Sequence, residues 1–127
     1  MKKLIAILPP TVKFILISNI GIGDSRQYQN FFIRHFLIDF VMGGIVKDKQ
    51  SAEAALAESK ITKWTALRAG RLIDRPENLE KVKFVNVEQS RILSKASRED
   101  VAAVALKLAE GDYGDQYWSK AISLVSG

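Results

Sequence analysis

A pair of glycines after an apolar run is the first feature of the sequence that could bind a ligand. Lys13 to Asn19 is isoleucine-rich and bounded by turn residues, which predicts a buried strand, and Gly21-Ile22-Gly23 follows it. In dinucleotide-binding folds a G-x-G-x-x-G turn at this place receives a pyrophosphate. Here Arg26 stands where the third glycine belongs, and Asp24 would bring a negative charge to the phosphates. An ordinary strand-to-helix connection therefore explains these glycines better.

Metal and nucleophile chemistry is limited by composition. The chain has no cysteine and one histidine, which excludes disulfides, thiolate nucleophiles and cysteine or histidine-rich metal centres. His35 and Asp39 are spaced to pair on one helix, and we interpret them as a structural pair because no nucleophile stands near them in sequence. The net charge is +5, but basic residues alternate with acidic ones. We predict neither a metal site nor binding to nucleic acid.

The length of 127 residues predicts one domain, residues 1–127. The longest apolar stretch, Phe31 to Val46, is interrupted by charged residues, so no membrane span is predicted. Lys2 and Lys3 precede a short apolar run, but Pro9-Pro10 follows in place of a small-residue cleavage site. We therefore expect a cytoplasmic protein without a signal peptide.

Helical and strand patterns alternate along the chain. Ser97 resembles the N-cap of a helix that ends at Gly111, with Asp100 in the capping position. This alternation predicts an α/β fold with a largely parallel sheet and helices on both faces. The segment at 27–42 is apolar almost all round, so we expect another chain, or a further part of this protein, to cover it. The other predicted helices are 2–8 and 47–59, and the predicted strands are 13–19, 64–69, 83–87, 91–94 (a short extended piece) and 121–125.

Residues 47–74, KDKQSAEAALAESKITKWTALRAGRLID, resemble the NmrA-like, atypical branch of the short-chain dehydrogenase/reductase superfamily. Its flavin-reductase and biliverdin-reductase-like members are the most similar. VKFILISNIGIGD upstream and RILSKASREDVAAVALKLAEGDYGDQYWSKAISLVSG downstream also resemble family segments, so the similarity spans about residues 1–127. The matching residues of the central segment are Lys49, Ala52, Glu53, Leu56, Ser59, Trp64, Thr65, Leu67, Arg68, Gly70, Leu72 and Asp74.

The resemblance implies a Rossmann-like, three-layer αβα fold with a mostly parallel sheet. In the family these segments form the second half of the domain, and the first half contains the glycine-rich turn and the strand that contacts the ribose. The chain then resembles a truncated or split member that lacks the N-terminal GxGxxG half. Its expected partner is that missing half or a second copy of the chain.

The resemblance also assigns candidate site residues. Ser18, as a catalytic residue and cofactor contact, and Asn19 would lie at the carboxyl end of a central strand, where ligands bind in open α/β sheets. Lys49 matches the lysine of the Tyr-x-x-x-Lys motif, but Ile45 replaces the tyrosine, so the classical tyrosine-dependent carbonyl reduction is not expected. Ala69, Gly70 and Arg71 follow the second strand, where the family usually has Pro-Gly near the nicotinamide.

Each of these residues also has a structural interpretation. Ser18 could satisfy backbone groups at a strand end, Lys49 could be a solvated helix residue, and Arg71 could be an ordinary surface arginine. The resemblance implies NADP or NAD as the cofactor and a flavin or another small molecule as the substrate, with reductase activity in doubt because half of the domain is missing. The alternatives are a non-catalytic domain that senses a dinucleotide or binds a partner protein, and a gene remnant without function. The sequence leaves the substrate and the choice between NADH and NADPH open.

Overall fold

The protein is described by a computed structural model that covers residues 2–21, 23–31 and 43–126. Short 3-10 helices lie at Gly23–Tyr28, Leu79–Lys81 and Val87–Gln89. No helix in this part of the chain is long and apolar enough to cross a membrane. The helices are α1 (Lys2–Ile7), α2 (Gly43–Ala57) and α3 (Arg98–Glu110), and the strands are β1 (Lys13–Asn19), β2 (Lys63–Ala69), β3 (Arg71–Ile73), β4 (Val82–Val85), β5 (Lys95–Ser97) and β6 (Lys120–Ser126).

Four strands form the main sheet in the order β1-β2-β6-β4. β1, β2 and β6 run parallel, and β4 is antiparallel to β6 at one edge. The prediction of a mostly parallel α/β sheet is therefore confirmed. β2 lies in the interior of the sheet, and its last five residues are all buried, as is typical of a strand covered on both faces.

Helices pack on both faces of this sheet. Ala66 packs in a cluster with α2, whereas Leu67 packs in a cluster with α3. Because consecutive strand residues point to opposite faces, α2 and α3 lie on opposite sides of β2. α2 begins four residues before its predicted start and ends two residues before its predicted end, whereas α3 is bounded where its sequence suggests. Ser97 Oγ accepts a hydrogen bond of 3.4 Å from the Asp100 amide, and Gly111 ends α3 in the left-handed region at φ 85°.

A second, two-stranded sheet was not predicted from the sequence. β3 and β5 pair in parallel, with Leu72 opposite Ala96. The prediction of an extended piece at 91–94 is wrong, because this segment turns, with the Ser94 amide donating to the Arg91 carbonyl at 3.0 Å, and the strand begins at Lys95. Strands of three residues are too short to show an alternating pattern.

Two other boundaries differ from the prediction. Val87 belongs to a 3-10 helix and not to the strand β4. Gln27 and Tyr28 likewise belong to a 3-10 helix, although a longer helix was predicted over 27–42. Residues 32–42, which make up most of that predicted helix and include His35 and Asp39, lie outside the described residues.

Candidate functional site

A pocket of about 400 Å³ opens where β1 and β2 end side by side. Asn19 and Ala69, the last residues of the two strands, are in register. The Asn19 side chain has no hydrogen-bond partner among the described residues, so its amide is available to a ligand. Ligands of open α/β sheets bind outside the carboxyl ends of the strands, which is this location. The pocket is lined by Asn19, Ala69, Gly70, Arg71, Leu72, Ile92, Leu93 and Arg98.

Gly70 brings the two walls of the pocket together. A Cβ atom on this residue would lie 1.9 Å from the carbonyl oxygen of Ser94, which no side chain could tolerate without movement. The same carbonyl accepts a hydrogen bond of 2.7 Å from the Arg71 amide. The absence of a side chain at position 70 therefore lets the start of β3 approach the 91–94 turn.

Ser18 lies beside the pocket but does not line it. Its side chain is fully buried, and its hydroxyl donates a hydrogen bond of 2.8 Å to Glu53 Oε2 on α2. A serine hydroxyl has one proton, so in this arrangement only its lone pairs remain for a ligand. The catalytic role of Ser18 stays a prediction.

Glu53 also holds the buried guanidinium of Arg68. Arg68 Nη2 donates to Glu53 Oε1 at 2.7 Å, and Nε lies 3.2 Å from the same oxygen. Arg68 Nη1 pairs with Asp24, in the segment after β1. Burial lowers the pKa of Arg68, but hydrogen bonds and charge attraction from Glu53 and Asp24 outweigh it and raise that pKa. The network of Ser18, Glu53, Arg68 and Asp24 joins β1, β2, α2 and the glycine turn.

The amide of Gly21, at the start of the glycine turn, is already engaged in a hydrogen bond. Gly21 has φ 98°, a conformation that favours glycine, and its amide donates a hydrogen bond of 2.9 Å to Ser25 Oγ. Asp24, which follows, is engaged by Arg68. The amide that would donate a hydrogen bond to a pyrophosphate oxygen thus already donates to Ser25. This geometry agrees with the sequence interpretation that the turn is a simple connection.

Lys49, on α2, does not line the pocket. Its side chain reaches the outer edge of the main sheet instead. Its Nζ atom donates a hydrogen bond of 2.8 Å to the carbonyl oxygen of Ile17. The Ile20 amide bonds to Ala69 on β2, and groups alternate along a parallel strand, so the Ile17 carbonyl points away from β2. Within the described ranges, no strand pairs with this second edge of β1.

The α/β fold and the pocket at the ends of its strands agree with comparisons to known proteins. The model of the NAD(P)H-binding family matches residues 11–112, and the chain therefore belongs to this family. The resemblance to atypical short-chain dehydrogenases/reductases is confirmed. No curated protein sequence is similar enough to this chain to count as a match.

Three solved structures illustrate the shared fold. ChuY from Escherichia coli CFT073 has 24% identity and a TM-score of 0.69, covering 88% of this chain and 51% of its own. ChuY, an anaerobillin reductase from E. coli O157:H7, has 24% identity and a TM-score of 0.68, with coverages of 90% and 50%. A short-chain dehydrogenase/reductase from Veillonella parvula, in complex with NADP, has 18% identity and a TM-score of 0.67, with coverages of 88% and 49%. The chain spans about half the length of each of these proteins.

Among the described residues, those that line the pocket fit one end of a dinucleotide. The pocket at the ends of β1 and β2 offers the Asn19 amide, which has no partner among the described residues, and the backbone of Gly70, which suits a flat, polar ring such as nicotinamide. The Gly21 amide, which already donates to Ser25, does not suit the pyrophosphate. No group of acidic or histidine side chains in the described parts could hold a metal ion.

The sequence located part of this pocket. Asn19, Ala69, Gly70 and Arg71 were all expected at a cofactor site, and the structure brings them together. Lys49 is separate from them, and Ser18 is buried next to them. The sequence analysis missed the opposite wall of Ile92, Leu93 and Arg98. The available signal was the family resemblance of the downstream segment, which contains all three residues, but its 91–94 part was predicted to be extended.

Proposed function

We propose that the chain is the substrate-side half of an NAD(P)H-dependent reductase whose acceptor is a flavin or a linear tetrapyrrole. The observation that carries the proposal is the pocket at the carboxyl ends of β1 and β2, in a chain of the NAD(P)H-binding family. When bound, the cofactor supplies a hydride to the acceptor. Asn19, Ala69 and Gly70 would hold its nicotinamide end, and the rest of the pocket would orient the acceptor.

A complementary half of the domain completes the cofactor site in this proposal. If the chain is a truncated three-layer domain, the complementary half must supply the glycine-rich turn, since the amide of Gly21 already donates to Ser25. The open edge of β1 is the natural place for the missing strand, because an unpaired strand edge is a template for pairing. That strand comes from the N-terminal half of the domain, or a second copy of this chain covers the edge instead.

Lys49 would change its role when that strand binds. Its ammonium now donates a hydrogen bond to the Ile17 carbonyl. In a completed sheet, a backbone amide of the added strand would donate to that carbonyl instead. Pairing would release Lys49 towards the ribose or phosphate of the cofactor, the contact expected from the resemblance. Cofactor binding and completion of the sheet are then coupled through one side chain.

A non-catalytic dinucleotide sensor is the second candidate. The position of the family's catalytic tyrosine holds Ile45, which cannot exchange a proton, and the Ser18 hydroxyl is committed to Glu53. These two observations favour a domain that binds the cofactor without turnover. Reduction of a flavin needs mainly alignment of the hydride and so tolerates the same substitutions.

Fusion to a first half tests the proposal. The segment of the V. parvula structure that precedes the matched region would be joined to residues 1–127, and NADPH binding measured by calorimetry. We expect the fusion to bind NADPH about a hundredfold more tightly than the chain alone, because the phosphate contacts are restored. NADPH oxidation with a flavin acceptor then separates the reductase from the sensor. A folded fusion that binds no better than the chain alone would overturn the proposal.

A further inference from the structure

Two arginines line the pocket, and one of them has no ion-pair partner in the described part of the chain. Arg71, at the start of β3, is exposed and makes no ion pair with any described residue. Arg98, at the start of α3, pairs with Asp74 at 2.8 Å, but both side chains are more than half exposed. An exposed pair of this kind is worth little, so Arg98 can exchange Asp74 for a ligand.

Neither cation is placed where it would stabilise the fold. Arg71 is in register with Lys95 on the neighbouring strand, and like charges in register repel each other. Arg98 is the first residue of α3, where the helix dipole disfavours a positive charge. Both positions would therefore gain from a bound anion.

The remaining walls of the pocket are apolar. Leu72, Ile92 and Leu93 line it together with the Ala69-Gly70 backbone. Leu93 is 54% exposed and is therefore available to cover a ligand. The pocket thus combines a hydrophobic surface with two guanidinium groups at its rim.

We propose that Arg71 and Arg98 form a carboxylate-binding subsite that selects an acceptor with an apolar ring system and an acidic side group. The proposal deepens the proposed function, on which it rests, by naming the chemical class of the substrate. Guanidinium groups bind carboxylates through paired, charge-assisted hydrogen bonds, and the apolar wall adds contact area for the rings. A free inorganic anion would lack the second contribution.

The chain itself can be tested with a matched pair of probes. 2-Naphthoate and 2-naphthamide have the same ring system and differ in charge, and their binding can be followed by amide chemical shifts of the ¹⁵N-labelled protein. We expect naphthoate to shift the amides of residues 69–72 and 92–93 saturably and to bind about tenfold more tightly than naphthamide. Arg71→Gln and Arg98→Gln should each remove about that factor, while Lys83→Gln, an exposed charge outside the pocket, should not.

Two binding results would count against the subsite. Equal binding of naphthoate and naphthamide would show that charge is not recognised, and equal binding of inorganic phosphate would show a general anion site. Both arginine variants should unfold at the wild-type temperature or slightly above it, so a loss of binding is not a loss of fold. If naphthoate does not bind while a reduced nicotinamide nucleoside does, this inference falls and the proposed function stands. If naphthoate binds as expected and the nicotinamide nucleoside does not, the proposed function falls together with the acceptor role of the subsite, and only its recognition of a carboxylate stands.

Discussion

Lys49 donates a hydrogen bond of 2.8 Å from its ammonium to the carbonyl oxygen of Ile17, on the unpaired edge of β1. Two properties make this edge suitable for pairing: β1 has seven residues, and Ile17 on it is 36% exposed. A lysine at such an edge satisfies one carbonyl and places a charge in the path of an incoming strand. Lys49 thus protects the place where we propose that the domain is completed.

Removal of Lys49 should therefore promote association through β1. We expect Lys49→Ala to have a higher weight-average mass than the wild type in sedimentation equilibrium at equal concentration. Lys47→Ala is the matched control, since Lys47 is an exposed lysine of the same helix. If the two variants have the same mass at every concentration, Lys49 does not protect the edge.

Gly70 should be far more sensitive to substitution than a glycine with open space around it. In Gly70→Ala the new methyl group would meet the Ser94 carbonyl, so β3 must move away from the 91–94 turn. We expect this variant to lose about 2–3 kcal/mol in the free energy of unfolding by urea. Gly44→Ala in α2 is the control, because nothing lies within 4 Å of its Cβ position, and it should gain about 0.5–1 kcal/mol. Similar stabilities for the two variants would contradict the role of Gly70.

The seven-residue strands and α3 could be predicted from sequence, whereas the three-residue strands β3 and β5 could not. β1 matches its predicted bounds, Lys13–Asn19, because apolar residues fill it and turn residues bound it. α3 was located by its Ser97 cap and by Gly111. The pairing of β3 with β5 rests on the contact of Gly70 with the 91–94 turn, which involves residues more than twenty positions apart. No local pattern encodes such a contact.

The candidate site divides in the same way. The family resemblance located the residues on the strand ends, such as Asn19 and Gly70, because they follow recognisable strands. It did not reveal that Ser18 is turned towards Glu53, since side-chain direction depends on α2 packing against the sheet. The wall of the pocket that includes Leu93 was missed with the 91–94 turn.

The pair of the buried Arg68 and the largely buried Glu53 should be strongly coupled. Arg68 is 6% exposed, and Glu53 holds it through two nitrogen atoms. Removing one member leaves the other charged and buried, so we expect Glu53→Gln and Arg68→Met each to cost about 3 kcal/mol in the free energy of unfolding.

The double variant measures the coupling directly. Glu53→Gln/Arg68→Met should cost less than the sum of the single variants by about 1–3 kcal/mol. Ser18→Ala, which removes only a hydroxyl donor from Glu53, should cost about 1 kcal/mol. Additive costs in the double variant would mean that the two side chains do not stabilise each other.

Asp100 should make stability depend on pH in the acid range. The carboxylate is fully buried, accepts a hydrogen bond of 2.7 Å from the Asn78 amide and pairs with Arg75 at 2.8 Å. Burial raises the pKa of Asp100, but these contacts and the Ser126 hydroxyl outweigh it, so the pKa in the folded state is lowered. A lowered pKa means that the charged form stabilises the fold above the unfolded-state pKa of about 3.9.

That contribution is lost as the pH falls through the folded-state pKa. We expect Asp100→Asn to be less stable than the wild type at pH 7 and the difference to narrow below about pH 4. Urea unfolding at several pH values from neutral to acid measures this difference. A constant difference over the whole range would show that Asp100 stays charged, or does not stabilise the fold by its charge.

The comparison of two uncharged halves of the cofactor tests the central claim most directly. Reduced nicotinamide riboside and adenosine would be titrated separately into the ¹⁵N-labelled chain, and amide chemical shifts recorded. We expect the nicotinamide nucleoside to shift Asn19 and residues 69–71 saturably and adenosine to shift none of them, because we propose that the pocket of this chain forms the nicotinamide side of the site. Equal shifts with both nucleosides, or none with the nicotinamide nucleoside, would contradict the claim.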